Sequence, residues 1–232
     1  MARAIAIIGG TGEIGLGLAF RWAQARQVVH IGSRQKERAE AAALKVRDAV
    51  GSEAKVEGFE NREAASQAEL VVLTVPLSAQ ISIVKGVKPA LQSGTIFVDC
   101  TVPTAAAIGG RLTRTVGLWA GSAAEQVAEL LPGIPVLSGF QTVAAEALQD
   151  LDHPIESDVI VCGDAKDAKE ALKALIELIP GARYVDGGPL ENARIVEHLA
   201  VLLISLNIRY GVHRAGLRIT GLPEDLLPRK VG

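Results

Sequence analysis

The chain has 232 residues, 49% of them apolar, with a net charge of -2, enough to bury one main core with a small appendage and without the field that would hold nucleic acid or an anionic membrane. Cys100 and Cys162 stand far apart, without the paired spacing of a zinc site, so both read as reduced thiols and no metal is expected. The apolar run before Gly9-Gly10 is too short for a signal peptide and the run at 199–206 too short for a membrane span, which points to a cytoplasmic protein handling small molecules.

Residues 4–8 form a continuous apolar, β-branched run bounded by glycines, as expected of a strand covered on both faces of a parallel sheet. A helical pattern follows over 14–26, then a strand at 28–31, helices over 35–50 and 61–68, and a strand at 70–75. The alternation continues with a helix over 78–84, a strand at 95–98, a helix over 123–131, a strand at 134–137, a strand at 158–162 and a helix over 166–179. Pro135 places its strand near a sheet edge. The order predicts an α/β fold, a doubly wound Rossmann-type parallel sheet. After Asp186-Gly187-Gly188-Pro189 the pattern changes to a helix over 190–214 that is apolar on most sides, through Ile195, Val196, Leu199, Leu202, Leu203 and Leu206. The expected division is a Rossmann-type domain over 1–188 and a small C-terminal helical appendage over 189–232. That appendage would complete the substrate cleft and offer a homodimer interface, because one sheet face cannot cover so apolar a helix.

The first strand runs into Gly9-Gly10-Thr11-Gly12-Glu13-Ile14-Gly15, a G-x-G-x-x-G at Gly10, Gly12 and Gly15 between a predicted strand and a predicted helix. Gly10 is expected to permit the tight turn, Gly12 to let the backbone approach a pyrophosphate, and Gly15 to let the helix lie close to the strand. The helix start then attracts phosphate through its free N–H groups and dipole. An NAD site usually has a carboxylate at the end of the second strand, where this chain has Gly32-Ser33-Arg34 followed by Arg38. A hydroxyl and two guanidinium groups favour the 2′-phosphate of NADP. Thr74-Val75-Pro76 and Thr101 end later strands on the same side of the sheet, where backbone groups and hydroxyls can line the cofactor cleft, with Val75 and Val102 against its rings. No nucleophile with an attendant base, metal cluster or carboxylate pair stands out, so hydride transfer by proximity, with no catalytic side chain, fits the residue inventory. His30 reads as a core residue, His153 as a loop residue and His213 as part of a basic terminal segment, while His198 on the last helix is a candidate for the cleft.

These segments, together with Ser122-Ala123-Ala124-Glu125, Val161-Cys162-Gly163-Asp164 and Asp186-Gly187-Gly188-Pro189-Leu190 with Ala193-Arg194 and Val196-Glu197, resemble the NADPH-dependent coenzyme F-420 reductases, also called F-420:NADP oxidoreductases, over nearly the whole chain. The resemblance implies reversible hydride exchange between NADP(H) and the deazaflavin coenzyme F-420 (F420) in a usually dimeric protein, with Thr11, Ser33, Arg34 and Arg38 on NADP. It also implies a deazaflavin stacked on the nicotinamide, whose transfer carbon accepts hydride without a dedicated protein acid. Departures fall on the deazaflavin side. Phe140-Gln141-Thr142 stands where the family commonly carries a histidine, Leu77 replaces a tryptophan, and His198 and Ala200 occupy hydroxyl positions. Gln141, Thr142, Arg194 and His198 are the candidates for the second substrate, Arg194 for an anionic group unless it pairs with Glu191 or Glu197. Two other readings keep the nucleotide site: an NADPH-dependent reductase of a flavin, imine or ketone, and a non-catalytic NADP(H)-sensing protein.

Overall fold

The computed structural model describes residues 4–222. Residues 1–3 and 223–232, the outer ends of the two expected divisions, lie outside the described residues.

Eight strands form one sheet in the order β3-β2-β1-β4-β5-β6-β7-β8. They are β1 (Ile5–Ile8), β2 (Val29–Ser33), β3 (Val56–Glu60), β4 (Leu70–Leu73), β5 (Ile96–Asp99), β6 (Val136–Ser138), β7 (Ser157–Gly163) and β8 (Ala182–Asp186). β1 to β6 are parallel. β7 pairs antiparallel with β6 and parallel with β8, so the sheet reverses once. The helices are α1 (Glu13–Gln24), α2 (Lys36–Val50), α3 (Asn61–Ser66), α4 (Leu77–Val87), α5 (Ala123–Leu130), α6 (Ala145–Gln149), α7 (Lys166–Ile176) and α8 (Ala193–Tyr210).

The continuous apolar strands are explained by two cores, one on each face. Ile5, Ile7 and Val72 pack with Leu18 and Trp22 of α1, Ala43 of α2 and Leu172 of α7. Ala6, Ile8, Val71 and Leu73 pack on the opposite face with Ala64 of α3, Val84 of α4, Val127 of α5 and Val196 of α8. Alternate residues of one strand thus enter different cores, each large aliphatic contributing about 1.5–3 kcal/mol.

One expectation is corrected. Pro135 does not mark an edge: it immediately precedes β6, which lies between β5 and β7, and its carbonyl accepts from the Phe97 N–H (2.9 Å). The two edge strands β3 and β8 carry no continuous apolar run, because charged residues interrupt them, Glu57 and Glu60 in β3 and Arg183 and Asp186 in β8. Gly58 in β3 lies so close to α2 that a Cβ there would stand 2.3 Å from the Ala39 carbonyl carbon. Finally, α8 buries one side through Ala193, Val196, Ala200 and Val201, while Ile195, Leu202, Ile208 and Tyr210 are exposed.

α8 ends at Gly211, whose φ of 64° is left-handed, and the chain returns as a strap over 213–219. Asp158 of β7, fully buried, holds it: Arg183 donates to both carboxylate oxygens (2.8 and 2.7 Å), Arg218 to one (3.1 Å) and the Ile219 N–H to the other (2.6 Å). Arg21 of α1, also buried, donates to the carbonyls of Leu148 (2.9 Å), Ala147 (2.8 Å), Asp150 and His153 (2.8 Å), fixing α6 against α1. Strap and α6 wall one cavity, through His213 and Ala215 and through Ala145, Glu146 and Gln149.

Candidate active site

At the carboxyl end of β1 the left-handed residue of the turn is Gly9 (φ 79°), not Gly10. Gly10 serves close approach instead, since a Cβ there would lie 2.8 Å from the Ile7 carbonyl oxygen. Gly15 is needed for the same reason: a Cβ would meet the Thr74 hydroxyl at 2.6 Å and Gly10 Cα at 2.7 Å. α1 starts at Glu13 with Gly12 as N-cap and no side chain capping it, so its first N–H groups and positive dipole end are left for an anion.

A cavity of about 590 Å³ opens in front of this turn. Gly9, Thr11 and Gly12 line it from the glycine-rich turn, Ser33, Arg34, Gln35 and Arg38 from the end of β2 and the start of α2, and Thr74, Val75 and Pro76 from the end of β4. Gly10 is buried behind the turn. The Thr74 hydroxyl donates to the Ile8 carbonyl (3.2 Å), tying β4 to β1. Neither the Arg34 nor the Arg38 guanidinium has a partner among the described residues. Two free cations, a hydroxyl and an uncapped helix start fit a dinucleotide carrying an extra phosphate.

A second cavity of about 570 Å³ is lined by Glu13 and Ile14 of α1, Cys100 and Val102 after β5, residues 140–146 and Gln149, Ala200, Leu203, Ile204 and Asn207 of α8, and His213 and Ala215 of the strap. Phe140 adopts a left-handed φ of 71°, rare for a bulky side chain, and is locked edge-on against Trp22 with ring centroids 5.8 Å apart. Gln141 follows it and donates to the Asp99 carbonyl (2.9 Å) and the Ser138 hydroxyl (2.8 Å); its own carbonyl oxygen has no partner among the described residues. Thr142 donates to the Asp158 carbonyl (3.0 Å).

The structure brings Gln141 and Thr142 to this cavity. Thr101 stands behind it, buried, with its hydroxyl on Asp99 (2.7 Å). Arg194 and His198 are exposed on α8 and line neither cavity: Arg194 donates to the Glu191 carbonyl (2.7 Å), and the His198 ring contacts the Arg194 carbonyl. His213, expected only in a basic terminal segment, lines the second cavity, and His30 is buried against Phe59.

Glu197 is not a surface partner of Arg194 but fully buried, and its oxygens accept from the Ala123 (2.9 Å) and Ala124 (3.2 Å) N–H groups at the start of α5. Burial pushes its carboxyl up to about 8, with the Asp99 charge adding to the rise and the two N–H donors opposing it. Asp99, fully buried, is pushed up to about 6 by burial against bonds from Thr101 and Gln80. This polar cluster behind the cleft was missed from sequence; its one signal is an acid inside an apolar helical stripe, between Val196 and Ala200. Among the described residues no group of three or more histidine, cysteine or acidic side chains is placed to hold a metal, and no helix is long and apolar enough to cross a membrane.

The sheet order, the glycine turn feeding an uncapped helix and the basic end of β2 define a Rossmann-type oxidoreductase of the NADP-binding class. Residues 4–103 match the family described as NADP oxidoreductase, coenzyme F420-dependent. The F420-dependent NADP reductase of Methanothermobacter marburgensis is 45% identical over 95% of this chain and 99% of its own length, and that of Methanocaldococcus jannaschii 43% identical over 94% and 98%. The chain belongs to the F420-dependent NADP reductases. A crystal structure from Arthrobacter sp. FB24 shares the fold with a TM-score of 0.77 at 24% identity, covering 94% of this chain and 99% of that one. A variant imine reductase of Myxococcus stipitatus shares it at 0.62 and 17% identity over 91% and 63%.

Proposed function

We infer that this protein is an oxidoreductase that transfers a hydride between NADP(H) and coenzyme F420. The observation that carries the reading is that the two cavities share the start of α1, Gly12 lining the first and its neighbours Glu13 and Ile14 the second. A ligand held by its phosphates at Thr11 and Gly12, on the turn that Gly10 and Gly15 allow, can therefore reach from one cavity toward the other. Thr11, Ser33, Arg34 and Arg38 hold the adenosine end with its 2′-phosphate, and Thr74, Val75 and Pro76 support the bridge. The deazaflavin would be held in the second cavity by Gln141, Thr142, Leu203, Ile204 and Asn207 of its lining, while Arg194 and His198 stand outside it. Bound there, NADP(H) supplies the hydride. The chain keeps the two rings in contact and excludes water, which is what a transfer between two self-stabilising rings demands of a protein.

A homodimer and a cytoplasmic location belong to the same proposal. Ile195, Leu202, Ile208 and Tyr210 leave α8 with apolar surface a second copy can cover, and both cysteines are free thiols, as in a reducing compartment. Sedimentation at micromolar concentration is expected to show a dimer; a monomer overturns this part.

The activity is tested by mixing the protein with NADPH and oxidised F420 and following the loss of visible deazaflavin absorbance, with NADH and a flavin as controls. Rapid NADPH-dependent bleaching is expected. NADPH binding with bleaching of flavin alone would replace the deazaflavin by another acceptor, and binding with no turnover on any acceptor would leave a sensing protein.

A further inference from the structure

The cavity in front of the glycine turn has one more polar lining residue, Asn61, the first residue of α3. β2 and β3 are parallel with Ser33 opposite Glu60, so Asn61 takes the next step along β3, beside Arg34. Its side chain has no hydrogen-bond partner among the described residues. The carbonyl oxygen is buried and unpaired and is pressed toward Gly32, where a Cβ would come within 2.9 Å of it. The end left open to the cavity is the amide nitrogen, a donor with nothing among the described residues to donate to. A polar group oriented this way and unsatisfied is incomplete without a ligand acceptor.

We propose that Asn61 is a specificity-determining residue for the nucleotide, donating from its amide to the adenosine 2′-phosphate held by Ser33, Arg34 and Arg38. The inference rests on the NADP reading of this cavity. The amide adds a directed donor without further positive charge, at a distance from the helix dipole that serves the pyrophosphate. It also explains why Gly32 precedes the basic pair: the glycine makes room for the Asn61 carbonyl and so turns its nitrogen outward.

The test is titration of NADPH and NADH by nicotinamide fluorescence, a binding readout independent of turnover, on the wild type and on Asn61→Ala and Asn61→Asp. Both replacements suit the first turn of a helix, Asp through the dipole, so lost binding does not report lost folding. Asn61→Ala is expected to weaken NADPH about tenfold, the worth of one bond to a charged group, and to leave NADH within about twofold. Asn61→Asp, which offers an anion and no donor, is expected to weaken NADPH further and again to spare NADH. Equal losses for both nucleotides would place the contact on adenine or ribose and overturn the assignment, as would no loss for either. Wild-type protein that binds NADPH and NADH alike would remove the NADP reading itself, whereas a wild-type NADPH preference left undiminished in Asn61→Ala removes only the role of Asn61.

Discussion

The two cavities are nearly equal in volume and are built in opposite ways. The first, in front of the glycine turn, draws its polar side chains from short stretches at the ends of β1, β2 and β4, with Asn61 after β3, each placed by the rule that ligands bind beyond the carboxyl ends of parallel strands. The second is assembled from α1, the exit of β5, the turn after β6, the inner face of α8 and the strap, segments that meet only after the sheet has reversed at β7. Its rim is chemically different as well, with Glu13, Glu146 and His213 in place of two free arginines. A phosphate-binding site can be local because glycine turns and helix starts supply its donors. A pocket for a planar ring needs walls from several directions, and those come from tertiary packing.

The sharpest way to separate the two is to loosen the strap. Asp158→Ala leaves Arg183 and Arg218 without their shared carboxylate and is expected to cost about 3 kcal/mol, as removing one partner of a buried ion pair does. Chemical denaturation should show this loss while NADPH titration of the folded protein is unchanged; a fall in NADPH affinity would mean that the cavities are not separately built. Arg34→Ala attacks the other side. Losing a bond to a charged phosphate, about 2 kcal/mol, should weaken NADPH roughly thirtyfold. NADH should be little affected, and equal losses would misplace the 2′-phosphate.

The smallest effect concerns pH. A carboxyl raised in the folded chain favours folding at low pH, and that contribution is lost as pH rises from its ordinary value to its folded one. With Asp99 raised to about 6 and Glu197 to about 8, wild-type stability should fall from near pH 4 up to near pH 8. Glu197→Gln should flatten the part between 6 and 8, read from denaturation midpoints across that range. An unchanged slope there would assign the titration to another group.

Much of the fold was legible in the sequence. Strands covered on both faces cannot alternate, so β1, β4 and β7 announce themselves as apolar runs, and the glycine turn and basic end of β2 carry their chemistry in consecutive residues. β3 and β8 escaped because charged residues break their apolar pattern. Arg194 and His198 were candidates from residue type and from the family resemblance, and only the rotation of α8 about its axis turns them outward and points Leu203 and Asn207 inward. Glu197 shows the limit best: its sequence neighbours make it a surface acid, and its burial is set by where α5 begins.

By itself the sequence determined an α/β protein with a glycine turn opening a helix and a basic end to its second strand, since those features depend on neighbours along the chain. The reversal of the sheet at β7, the strap on Asp158, the cluster of Glu197 with Asp99 and the walls of the second cavity were decided by tertiary structure. Each depends on the packing of segments remote in sequence, whose mutual positions no local pattern encodes.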